Sequence, residues 1–156
     1  MATTRFLAFV AAAGGALVLA ASATPAVVHH GTGKSTLTSS TTLSFTQTAG
    51  LTIIDQFNTR DDVGVFTGTV SEHLRLIVHN DTGIITLDGV ADLSGTYQGC
   101  GSRHVTQSII LTGTVTPAGE IRASFATTEG AAVPVHGTVN GTTGSPTADF
   151  EDIYFC

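Results

Sequence analysis

Tryptophan is absent from this chain, lysine occurs once, at Lys34, and methionine only at the first position. Besides Arg5, the remaining cations are Arg60, Arg75, Arg103 and Arg122, scattered singly among twelve carboxylates. Nucleic acid and anionic membrane surfaces both require clustered Lys and Arg, so neither is an expected partner. Apolar residues at helical spacing are also missing. So are a glycine-rich phosphate loop, a nucleophile elbow and a Cys-His pair, and no cofactor is expected.

One long apolar run exists, Phe6 to Ala20, interrupted by glycine and too short to cross a membrane comfortably. Arg5 precedes it and Ala21-Ser22-Ala23 follows it, the layout of a secretory signal peptide over residues 1–23. Neither a twin arginine nor a lipidated cysteine accompanies it, which points to general secretion without an anchor. The expected product is extracellular, starts at Thr24 and has no membrane span after cleavage. Its first part, residues 24–40, is small, polar and glycine-containing, and reads as a flexible leader. Residues 41–156 then form one domain with room for a core. Two cysteines, Cys100 and Cys156, fall in that domain, and an oxidising compartment predicts a disulfide between them. A loop of that length corresponds to about 4 kcal/mol in the chain-entropy account.

What the chain has in abundance is threonine, valine and glycine in period-two patterns, the composition of β structure with short turns. The clearest stretch is Phe66 to Tyr97. Phe66, Val70, Leu74, Leu76 and Val78 alternate on one side, and Ile85, Leu87, Ala91, Leu93 and Tyr97 on the other. Asn80-Asp81-Thr82-Gly83 lies between them, which describes a hairpin with one dry face per arm. Further strands are predicted at Thr41–Thr48, Leu51–Phe57, His104–Thr116, Ile121–Phe125, Val133–Val139 and Ala148–Tyr154, with Asn58–Asp62 as a polar loop. All connections are short, so adjacent strands are antiparallel. The predicted fold is all-β, a single antiparallel up-and-down barrel of about eight strands, with a β-sandwich as the alternative.

The phrases F-T-G-T-V from Phe66, L-T-G-T-V from Leu111 and V-H-G-T-V from Val135 read as one glycine-kinked strand used three times. With D-L-S-G-T-Y-Q-G-C-G and L-T-G-T-V-T-P-A-G-E, they resemble small secreted bacterial barrels of unknown function. Those are similar in turn to the allene oxide cyclase and dirigent group of calycin-like eight-stranded barrels. The resemblance covers roughly Thr41 to Val139. It implies a barrel and places no catalytic residue.

Several motifs have a plain structural explanation. Asp81-Thr82-Gly83 spells the aspartic-protease triplet, but Asn80 stands where that motif needs an apolar residue, and a turn accounts for it. His73 and His79 share a face but lie ~20 Å apart along a strand, too far for a common ion, and no metal site is expected. Asn80 and Asn140 head glycosylation sequons.

The remaining lead is a set of polar residues in dry series: Glu72, Tyr97, Gln107, Gln47, Asp55 and Asp152. A carboxylate in an apolar interior must be paired, hydrogen-bonded, wet or protonated. Asp55 and Asp152, near strand ends, read as rim residues. Glu72, Tyr97, Gln107, Gln47 and Asp55 are the ligand-binding candidates, with Glu72 foremost because Leu74, Leu76 and Val78 follow in its own parity. The expected function is binding of a small, partly apolar ligand or a surface partner without catalysis. The alternatives are a cofactor-independent cyclase- or isomerase-like enzyme using a buried acid, and a structural module of the cell envelope.

Overall fold

A computed structural model describes residues 26–101 and 103–156; the signal peptide expected over residues 1–23 and its cleavage site lie outside the described residues. Eight strands follow one another: β1 Val28–Gln47, β2 Leu51–Gly64, β3 Phe66–His79, β4 Ile85–Tyr97, β5 Val105–Val115, β6 Glu120–Thr127, β7 Val135–Thr142 and β8 Thr147–Phe155. Each pairs with the next, and β1 pairs with β8, so the sheet closes into an antiparallel up-and-down barrel. Closure pairs each strand on both sides along the barrel wall, while the far part of β1, beyond its pairing with β8 at Thr36, is paired on one side alone. No helix among the described residues is long and apolar enough to cross a membrane, which says nothing of strands.

The central hairpin forms as its pattern predicts, from Phe66↔Tyr97 to Val78↔Ile85 without a register break. At its tip the His79 carbonyl accepts hydrogen bonds from the Thr82 and Gly83 amides, and Asp81 Oδ1 accepts from Thr82 N. Gly83 takes φ 72°, a left-handed conformation that side chains resist. The protease-like triplet is therefore a turn.

Three expectations are corrected. Residues from Val28 onward, read as a flexible leader up to Ser40, belong to β1, paired with β8 from Val28↔Phe155 to Thr36↔Thr147. Small residues are what this strand needs there. A Cβ on Gly31 would lie 2.7 Å from Val65 Cγ1, and one on Gly33 would meet the Phe150 ring. Its threonines face outward, where β-branched residues suit a strand. Asn58–Asp62, read as a loop, is the second half of β2, paired with Ser71 and its neighbours on β3. The phase of β2 is also opposite to expectation. Gln56, Asn58, Arg60 and Asp62 point inward, while Asp55 and Phe57 lie on the outer wall beside Arg75 and His73.

The far part of the β1–β2 hairpin is solvated: Leu43 and Phe45, which share the alternating series of Gln47, are 56% and 61% exposed. Register shifts at Leu37/Ser39 and Thr42/Ser44 bend β1 there.

The core fills one end of the barrel. Val65, Phe66, Tyr97, Val105, Val133, Val135 and Tyr154 are all buried. The rings of Phe66, Tyr97 and Tyr154 form a chain with centroids 4.9 Å apart at each step. Tyr154 donates its hydroxyl proton to the Gln98 carbonyl at 2.6 Å. The Cys100–Cys156 disulfide ties the β4–β5 connection to the last residue at this same end. Among the described residues the opposite end has no such plug.

Candidate functional site

Above the aromatic plug the barrel holds a cavity of about 390 Å³. Its wall is apolar, with Leu74, Leu76, Leu87, Leu111, Phe125 and Phe150 on strands β3, β4, β5, β6 and β8. Its floor is polar, with Ser35, Asn58, Arg60, Asp62, Glu72, Tyr97 and Asp152. At the other end it reaches Leu37, Ser40, Ile85, Val115 and the Thr142–Ser145 connection. A glycine makes room for two of its lining side chains. On Gly137, a Cβ would lie 2.6 Å from Phe125 Cζ and 3.0 Å from Asp152 Oδ1. Without one, the ring and the carboxylate fit beside that strand.

Two carboxylate arrangements share the floor. Glu72 is 6% exposed and fully engaged: Arg60 Nε lies 2.8 Å from Oε1, and Asn58 Nδ2 donates to Oε2 at 3.2 Å. Asn58 faces Glu72 directly across the β2–β3 ladder. This is a buried, compensated ion pair. Asp62 and Asp152 have no such cation. Asp152 is 2% exposed, and its Oδ1 has no hydrogen-bond partner among the described residues; nor do Asp62 Oδ1 and Asn58 Oδ1.

The electrostatics follow from that difference. Burial pushes the Asp62 carboxyl up to about 6, with the Ser35 hydrogen bond and Arg60 opposing and the Glu72 and Asp61 charges adding to it. Burial, with a smaller contribution from the charge of Asp62, pushes Asp152 up to about 7. Tyr97 is held well above the usual phenol range by burial and by both aspartates, and Tyr154 is raised by burial and Asp152. The floor is therefore acceptor-rich and short of positive charge.

Of the residues singled out from the sequence, Glu72 and Tyr97 line the cavity. Gln107 is buried but committed elsewhere. Its Nε2 donates to the Val133 carbonyl at 2.9 Å and its Oε1 accepts from Val133 N at 3.1 Å, fastening the β6–β7 connection. Gln47 is exposed at the end of β1. Asp55 sits on the outer wall, 2.8 Å from Arg75 Nε and 2.6 Å from Ser44 Oγ, and both contacts hold its carboxyl below the usual range. Asp152, read as a rim residue, is instead among the most buried side chains. Asn58, Arg60 and Asp62 were missed because a polar run looks like a loop. Their period of two was the available signal.

The histidines are dispersed. His73 packs on Phe57, His29 stacks on Tyr154, His79 bonds Thr86 and His104 bonds Ser94. No group of three or more His, Cys, Asp or Glu among the described residues is arranged to hold a metal ion.

Fold and site together define a closed eight-stranded barrel with an internal, two-toned cavity. No protein-family model and no curated protein matches the chain. The functional reading rests on the cavity itself.

Proposed function

We propose that this protein is a secreted β-barrel that binds a small, partly apolar molecule inside the barrel. The observation that carries this reading is the cavity of about 390 Å³, with an apolar wall and buried acceptor atoms that the protein leaves unpartnered. Pockets for small ligands combine these features, a hydrophobic lining with a few convergent polar groups. Buried acceptors without partners cost on the order of 1–3 kcal/mol each, so a ligand that supplies donors recovers that cost. The outer wall supports a barrel in water. Lys34, Arg75, Asp88, Asp92, Arg122 and Asp149 all lie on it, exposed, the reverse of a lipid-facing girdle. The disulfide is compatible with an oxidising compartment.

The test is a cavity-filling variant. Val139 lines the cavity from β7, and Val139→Trp is expected to abolish uptake of short-chain alkyl probes while the protein remains folded by circular dichroism. Unchanged uptake by the folded variant would rule out the barrel interior as the binding site.

One observation favours a second reading, a cofactor-independent cyclase- or isomerase-like enzyme. Two carboxyls raised to about 6 and about 7 on the floor of the barrel cavity suit acid chemistry. That reading moves the acid from Glu72, which is paired with Arg60, to Asp62 and Asp152.

A further inference from the structure

We propose that the cavity receives its ligand amine-first, with an ammonium group held at Asp62 and Asp152 and the apolar body lying along the leucine-lined wall. This inference rests on the reading of the barrel as a binding protein and names the chemistry of what it binds.

The cavity floor carries three carboxylates, Asp62, Glu72 and Asp152, against one guanidinium, Arg60. Arg60 is paired with Glu72 through its Nε, at 2.8 Å. A ligand carboxylate or phosphate would therefore enter a floor where three carboxylates outnumber one guanidinium that is already paired. The unpartnered atoms have one polarity. Asn58 Oδ1, Asp62 Oδ1 and Asp152 Oδ1 all accept, and among the described residues no buried side-chain donor is left unpartnered. Asn58 and Asp152 are 4% and 2% exposed, so water outside the barrel does not reach them freely. An ammonium brings three donors and a positive charge, whereas a hydroxyl brings one donor and no charge. The two aspartates flank β1 from either side, Asp62 opposite Ser35 and Asp152 opposite Gly31. Between this floor and the far end, where Ser40 and the Thr142–Ser145 connection are polar, the wall is mainly apolar, with Gln56 as its polar member, and suits an alkyl or aromatic body.

The experiment titrates the full mature chain with octylamine, octanol and octanoate by calorimetry at about pH 8, where the aspartates are ionised and the amine is still protonated. Octylamine is expected to bind roughly tenfold or more tightly than octanol, with octanoate weakest. Asp152→Asn and Asp62→Asn are each expected to erase the amine preference while octanol binding persists. Equal affinity for octylamine and octanol, or a preference for octanoate, overturns the amine assignment and leaves the binding reading standing. Amine preference that survives in both variants also overturns it. Failure of all three probes to bind the wild-type protein overturns the binding reading itself.

Discussion

At the residue scale, the polar floor behaves as two separate electrostatic units. The first is Glu72 with Arg60 and Asn58. Removing Arg60 leaves a carboxylate at 6% exposure without its cation. Arg60→Met is expected to cost about 3–5 kcal/mol in chemical denaturation, and the double variant Arg60→Met/Glu72→Met markedly less. The second unit is Asp62 with Asp152, faced by Tyr97, Tyr154, Ser35, Glu72, Asp61 and Arg60. Both aspartates lie above their ordinary range when folded, so the folded chain holds protons more tightly than the unfolded chain between about pH 4 and 7. Stability from this pair is full below about pH 4 and falls as pH rises through about 6 and 7. Asp55, with its lowered carboxyl, acts in the opposite sense but below its ordinary 3.8. Thermal melts of the unliganded protein are expected to show a lower Tm at about pH 8 than at about pH 5, with the slope reduced in Asp152→Asn. The rise at Asp152 from 3.8 to about 7 sets an upper limit of ~4 kcal/mol for its share. Glu72 was legible in the sequence because it interrupts an apolar series. Its partners were not, because a cation and an amide two residues apart carry no local mark of the strand opposite.

At the scale of elements, the central hairpin was fully legible and β2 was not. Alternation fixes a strand's phase only when one series is plainly apolar. In β2 both series are mixed: Leu51, Ile53, Asp55 and Phe57 against Thr52, Ile54, Gln56 and Asn58. The larger apolar residues went outward because the inward positions face Glu72 and Leu74 across the ladder. Similarly, β1 was hidden because its inward glycines contribute no hydrophobic signal; Val65 and Phe150 supply the apolar contact. Glycine at Gly137 is required rather than permitted. A methyl there presses on the Glu151 carbonyl, the Phe125 ring and Asp152. Gly137→Ala is expected to lose about 1–3 kcal/mol or more in urea unfolding. The three glycine-bearing repeats thus mark inward positions where neighbouring wall and side chains come close.

At the scale of the whole molecule, strand count, antiparallel order and the cysteine pair were readable from short turns and period-two patterning. The cavity was not. Whether a barrel interior is filled or hollow depends on how side chains from strands far apart in sequence share a volume. Replacing both Cys100 and Cys156 by serine is expected to cost about 4 kcal/mol, measured by denaturation with and without reductant.

The meeting of β1 with β8 also sets an order of events. Val28 pairs with Phe155, 127 positions later (155 − 28), so the cylinder cannot close until the last strand is available. Pairings this distant are slow to find, since loop entropy is lost before contacts repay it. Cys156 directly follows β8, and its amide bonds the Val27 carbonyl beside the entry to β1. Formation of its disulfide thus coincides with the closing of the seam. In refolding from the reduced chain, the two thiols are expected to resist blocking reagents only in the slowest kinetic phase, after the central hairpin is already protected from amide exchange.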